Sequence, residues 1–165
     1  SEFEGAMLLA QLDRLDEMIT SMRAQKKRIL ADTADTPLKP IRSVDLDSEG
    51  GTHVMYTLDS ADQADRFAEL VGGTVALKTG RHVYIHWTPV LAHAGAHHPD
   101  LNPYNLPANA ECRKDYTEDM CSDSLDILGR TVFVRTHPDH DKAKVDQLIE
   151  KIRDAANEIT GAMAR

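Results

Sequence analysis

Through the first 29 residues of this chain runs an apolar stripe, Leu8, Leu12, Leu15, Ile19, Met22 and Ile29. Its spacing in steps of three and four is the period of an amphipathic helix. Ser1 and Glu4 stand ahead of it at the S-x-x-E spacing of a capping box, in which a hydroxyl and a carboxylate satisfy amide donors at the helix start. Nothing interrupts the pattern before Asp32, and Pro37 and Pro40 lie beyond it. The spacing predicts one helix of about 28 residues, roughly 40 Å long at about 1.5 Å per residue. Its six large apolar side chains, at roughly 1.5–3 kcal/mol each when buried, carry on the order of 10 kcal/mol of burial energy. Such a stripe is expected to lie against something larger, either another domain or another copy of the chain.

The 165 residues are enough for about one domain with a real core. A formal net charge of -8 argues against a nucleic-acid or anionic-membrane surface, both of which require clustered cations. No apolar run approaches the roughly 20 residues that cross a bilayer, and the opening residues lack the pattern of a signal peptide. Cys112 and Cys121 form no C-x-x-C pair and no disulfide framework, which points to a reducing, cytoplasmic setting.

Further along, "THVMYTLDS" alternates and puts Val54, Tyr56 and Leu58 on one face of a strand. "ADQADRFAELVGG" reads as a helix capped by Asp59 or Ser60 and stopped by Gly72 and Gly73. "TVALKTGRHVYIHW" has the β-branched and aromatic content of two strands around Thr79-Gly80. Residues 88–127, with four prolines, have no clear period and read as a long irregular arm. "RTVFVRT" is the last strand, and "DKAKVDQLIEKIRDAANEI" the last helix, with Val145, Leu148, Ile149, Ile152, Ala156 and Ile159 on its buried face and Asp139 or Asp141 as cap. The expected fold is α+β: a small, mostly antiparallel sheet with helices on one face, preceded by the long amphipathic helix. Residues 1–36 are read as the long helix and 37–165 as the α+β domain.

Trp87 alternates with Val83 and Ile85, which favours a core position over an exposed platform, and His86 falls on the opposite face of the expected strand. In "HAGAHHPDLNPY", His93, His97 and His98 invite a zinc reading. Gly95 and Pro99 disfavour the helix that would align them, and no glutamate stands between them, so a polar loop is the expectation and no metal is assigned. Lys39, Lys78 and Lys114 read as solvated surface lysines.

With these residues in view, the opening "SEFEGAMLLAQLDRLDEMI" resembles the passage from the large to the small domain in sugar aminotransferases of the DegT/DnrJ/StrS type. Ser1, Glu2 and Phe3, then Gly5 and Ala6, then Leu9, Ala10, Gln11 and Leu12, then Arg14, Leu15, Asp16 and Glu17 carry the match. "SLDILGRTVFVRTHPDHDKAKVDQLIEKIRDA" is similar to the closing strand, H-P turn and final helix of that family. "GGTVALKTGRHVYIHWTPVLAH" resembles its H-aromatic-x-x-P-x-x-x-H region, through His86, Trp87, Pro89 and His93, with an arm longer than usual after it.

The resemblance implies the C-terminal part of a longer, pyridoxal-phosphate-dependent enzyme that moves an amino group, from a donor such as glutamate, onto a keto-sugar. It implies that the cofactor lysine and phosphate cup belong to a large domain outside this chain, so that no catalytic or cofactor-binding residue is assigned here. This chain alone is then expected to be inactive and to bind no cofactor. His86, Trp87 and His93 are its candidates for substrate contact, and the large domain and a second copy of the protein are its expected partners. A free-standing interaction or regulatory module of the same fold is the alternative.

Overall fold

The structure, a computed structural model, describes residues 1–161. The leading helix is present but forms in two pieces, α1 (Glu2–Leu12) and α2 (Leu15–Asp32). The expected capping box starts α1: the Glu4 amide donates to Ser1 Oγ at 3.2 Å, and the terminal amine donates to the Glu4 carboxylate at 2.6 Å. A turn at Asp13–Arg14, closed by the Arg14 amide on the Gln11 carbonyl at 3.1 Å, divides the two pieces. No residue of α1 is buried, whereas α2 buries Gln25, Lys26 and Ile29, so the break falls where packing onto the domain is about to begin.

After α2 come β1 (Lys39–Pro40), β2 (His53–Thr57), α3 (Ala61–Val71), β3 (Thr74–Val75), α4 (Thr88–Leu91), α5 (Ser122–Gly129), β4 (Thr131–Arg135) and α6 (Lys142–Gly161). The four strands form one antiparallel sheet in the order β1-β2-β4-β3. This is the α+β architecture that the alternation and helical periods predict. The central register sets Val54 opposite Val134 and Tyr56 opposite Val132. Those four side chains share one face, and on it Ile29 of α2, Phe67 and Val71 of α3, and Val145, Ile149 and Ile152 of α6 close the core. Residues at alternate strand positions point to opposite faces, so His53, Met55 and Phe133 line the other, half-covered side.

Local signals explain the ends. Ser60, not Asp59, caps α3, its hydroxyl accepting from the Gln63 amide at 3.2 Å. Gly72, at φ 69°, stops that helix in the left-handed conformation that a Cβ disfavours. Asp141 supports the first turn of α6 by accepting from the Lys144 amide at 2.8 Å. Side chains then tie the layers together. Gln25 clasps the turn after β4, donating to the His137 carbonyl at 2.8 Å and accepting from its amide at 3.3 Å. Thr136 Oγ1 donates to the Gly51 carbonyl at 2.6 Å. Gly51, at φ 67°, lets the loop touch α2, because an added Cβ would stand 2.6 Å from the Arg23 nitrogen.

The segment read as two strands around Thr79-Gly80 does not form them. Only Thr74 and Val75 pair, opposite Phe133 and Val132. One step further the antiparallel register reaches Thr131, where β4 begins, so the chain runs out of a partner edge. It folds instead into successive 3-10 turns at Ala76–Lys78, Gly80–His82 and Tyr84–His86, whose amides find carbonyls three residues back. Three further elements lie outside the expectation, one of them α4, which takes the start of the stretch read as an irregular arm. The two-residue edge strand β1 places Pro40 where a missing donor is tolerated, and α5 takes the last part of the stretch read as an irregular arm.

Candidate functional site

The three sequence-derived site residues follow one another through the 3-10 turns and α4. His86 ends the third turn and is exposed. Trp87 is 47% exposed, which corrects the core position inferred from its alternation with Val83 and Ile85: without a strand there is no alternation to bury it. Its indole N–H donates to the Arg81 carbonyl at 2.7 Å, so the ring is held by its polar edge and offers an apolar face to solvent. Only Val83 of this run is fully buried.

His93 is built into the arm. Its φ of 53° makes it the one non-glycine residue with positive φ among those described, a conformation that costs an L-residue about 1–2 kcal/mol. Asn102 holds it there, donating from Nδ2 to the His93 carbonyl at 2.8 Å while its Oδ1 accepts from the amides of Gly95 and Tyr104, both at 3.2 Å. The imidazole stacks on Tyr104 with centroids 4.8 Å apart, and Tyr116 stands edge-on to both rings. Tyr84 pins the end of the arm, its hydroxyl donating to the Glu118 carbonyl at 2.5 Å and accepting from the Cys121 amide at 3.2 Å. Trp87 and the His93 cluster thus present aromatic faces with hydrogen-bonding nitrogens nearby. That chemistry suits a flat or hydroxyl-rich ligand.

His93, His97 and His98 do not converge: among the described residues no three His, Cys, Asp or Glu side chains are grouped to hold a metal ion. Cys112 and Cys121 are free and exposed. Pyridoxal phosphate requires a lysine amine free to react, and neither the three lysines weighed from the sequence nor the most buried one offers it. Lys39 and Lys78 are ion-paired with Asp59 and Asp65, and Lys114 donates to the Tyr104 carbonyl. The most buried lysine, Lys26, is only 5% exposed and lies 2.5 Å from Glu49 Oε1. Burial opposes ionisation of Glu49, but hydrogen bonds from Lys26 and Ser43 and the charges of Lys26 and Arg23 outweigh it and hold the carboxyl below its usual range. An ammonium paired in this way is not a nucleophile. Sequence reasoning passed over Lys26, although its place four residues after Met22 and three before Ile29 sets it on the apolar stripe.

Two imidazoles are tuned by their surroundings. The His53 ring, tilted against Phe133 at 5.6 Å, is pushed below the ordinary histidine value by burial, then by Arg135 and Lys26. Burial also lowers His140, followed by His137 and Lys144, with Asp139 and Asp141 opposing. An imidazole with a lowered folded value takes its proton more readily in the unfolded chain. The stability it contributes is therefore complete above the unfolded value of about 6.5 and is lost as the pH falls through that value toward the folded one. Thermal melts taken from neutral to mildly acidic pH should show a falling Tm, and the pair of changes His53→Asn and His140→Asn should flatten the slope. A wild-type Tm constant across that window would contradict the assignment.

The described part of the chain has no helix long and apolar enough to cross a membrane. No family model matches the sequence, and no curated protein matches it. Among solved structures it is similar to one described as "Putative sugar aminotransferase Spr1654 from Streptococcus pneumoniae, apo-form", at 13% identity and a TM-score of 0.57. The match covers 95% of this chain but 35% of that one. At so low an identity the two share a fold, and this chain spans about a third of its neighbour's length.

Proposed function

We propose that this chain is the C-terminal small domain of a pyridoxal-phosphate-dependent sugar aminotransferase of the DegT/DnrJ/StrS type, with residues 1–36 leading out of a large cofactor domain and residues 37–165 forming the small domain. The reaction exchanges the carbonyl oxygen of a keto-sugar for the amino group of an amino acid, taken to be glutamate, which leaves as its 2-keto acid. The observation that carries this reading is the near-complete overlay of the chain on one third of a sugar-aminotransferase-like fold. The bare apolar surface of α1 supports it, since Phe3 is 74% exposed and Leu8 and Leu9 65% each.

In this reading the group that activates the amino donor is bound by the large domain, and this chain supplies a wall. Trp87 lays its exposed face along the sugar. His86 and His93 exchange hydrogen bonds with its hydroxyls or with an anionic handle, and the strained backbone at His93 fixes where its ring stands. A second copy of the whole protein completes the assembly, and the enzyme works in the cytoplasm.

The test uses the gene product with whatever sequence is encoded ahead of Ser1. It should turn yellow with pyridoxal phosphate and form 2-oxoglutarate from glutamate when a nucleotide-linked keto-sugar is supplied. Trp87→Ala should raise the KM for the sugar up to about tenfold, the scale of one lost aromatic contact, and leave the half-reaction with glutamate unchanged. A longer product that neither takes up pyridoxal phosphate nor consumes glutamate would remove the enzyme assignment. The non-catalytic module would then be the better reading, favoured by a core that closes among α2, the sheet, α3 and α6 without α1.

A further inference from the structure

A pocket of the opposite sign interrupts the acidic surface. A cavity of about 280 Å³ lies between the end of α3, the end of β4 and the outer face of α6, lined by Val71, Gly72, Val134, Arg135, His137, His140, Lys144, Gln147, Leu148 and Lys151. None of these residues is acidic. Lys144, Gln147, Leu148 and Lys151 recur at steps of three, one and three, so α6 turns a single stripe toward the cavity.

The charges there are uncommitted. Elsewhere most cations are engaged, Arg153 with Asp35, Arg66 with Glu158, and Lys142 with Asp146. Among the described residues, Lys144 and Lys151 make no ion pair and no side-chain hydrogen bond, while Arg135, opposite His53 in the register, directs its charge to the other face of the sheet. The Nδ1 of His140 is enclosed and has no hydrogen-bond partner. His137 spends its own Nδ1 on the Asp139 amide at 3.2 Å, which leaves Nε2 available. Two acids stand beside these imidazoles, Asp139, whose carboxylate is 3.5 Å from His137 Nδ1, and Asp141, whose charge reaches His140, and neither lines the cavity. With two unpaired lysines and no acid in its lining, the concavity has a local field that attracts anions against the chain's overall charge of -8.

We propose that this pocket binds a compact phosphorylated anion bearing two charged groups, of the diphosphate class. Lys144 and Lys151 lie seven residues apart on α6, about 10 Å along the axis at about 1.5 Å per residue, with the Gln147 amide between them. Two flexible point charges so placed can each meet one phosphate of such an anion, which suits two linked charged groups better than one carboxylate. His140 and His137 supply directional donors or acceptors at the β4 end, and Val71, Val134 and Leu148 form the apolar floor. The volume lies below the roughly 300 Å³ at which ordinary small-molecule sites begin. It therefore suits the phosphorylated end of a molecule rather than a whole dinucleotide. The inference rests on the pocket's own charges and does not depend on the aminotransferase reading.

The probe is inorganic pyrophosphate, titrated into the 165-residue chain at low ionic strength and followed by amide and imidazole NMR shifts, with inorganic phosphate and acetate as comparisons. Saturable shifts confined to residues 134–151 and neighbouring α3 are expected, with affinity for pyrophosphate at least tenfold above that for phosphate and acetate. Lys144→Gln combined with Lys151→Gln should weaken that binding at least tenfold while the Tm stays within the wild-type range. Lys142→Gln removes the same charge from the same helix outside the cavity and should leave binding unchanged. Absence of saturable pyrophosphate binding would overturn the proposal, as would an equal loss in Lys142→Gln or equal affinity for acetate.

Discussion

Replacing Leu12 and Leu15 with glutamate should turn a self-associating chain into one that sediments at the single-chain mass of 18.3 kDa. Helix α1 is apolar almost all the way round, with Phe3, Met7, Leu8, Leu9 and Leu12 each more than half exposed and Leu15 41% exposed just beyond. A helix of that composition is stable when enclosed. Burying those six side chains would release on the order of 10 kcal/mol, comparable to the whole stability of a small domain. In the intact protein the proposed occupant is the large domain. Without it, the cheapest cover for the exposed leucines is the same surface of another copy. The wild-type chain should thus show a mass that rises with concentration in sedimentation equilibrium, and the double variant should not. A wild-type chain that stays monomeric, or a variant with the parent's mass, would show that α1 does not drive association.

Phe67→Ala should cost about 3–5 kcal/mol, a large share of the roughly 5–15 kcal/mol that holds such a domain together. Phe67 is fully buried on α3 and stands edge-on to Tyr56 of β2 with centroids 5.7 Å apart. Tyr56 in turn shares a hydrogen bond of 3.1 Å with Thr33 Oγ1, which donates to the Ile29 carbonyl of α2 at 2.8 Å. One ring therefore supports the junction of helix, sheet and helix, and its removal leaves a cavity whose walls are anchored on both sides. Tyr56→Phe is the calibrating contrast. It removes one hydroxyl whose partner keeps its bond to Ile29, so a loss of about 1 kcal/mol is expected. Urea unfolding with an unchanged m-value separates the two. Equal midpoints for Phe67→Ala and Tyr56→Phe would contradict the central role given to the ring.

The parts of the fold legible in the chain are those whose signals are local. The alternation of Val54, Tyr56 and Leu58, the Ser60 cap and the Gly72 stop of α3, and the three-four spacing from Val145 to Ile159 each carry their own period and their own punctuation. The candidate site was legible only as residue types. His86, Trp87 and His93 stood out by chemistry, but the burial of Trp87 was inferred from a strand that has no partner. The ring stack on His93 depends on Tyr104 and Tyr116, which no spacing connects to it. The basic pocket was hidden for a similar reason: Lys144 and Lys151 carry no motif of their own, and only the fold sets His140 and the end of β4 beside them.

By itself the sequence determined which segments have one apolar face and where most of those segments start and stop, because a helical or strand period and a cap act over a few residues. Only the tertiary structure decided whether "ALKTGRHVYIHW" could be strand, since a strand requires a free hydrogen-bonding edge and the first residue of β4, Thr131, lies just one step beyond the last β3 pair. Tertiary packing likewise decided that Ile29 goes inside and Leu12 remains in water, because a side chain's burial is a property of what stands opposite it and not of its own neighbours in the chain.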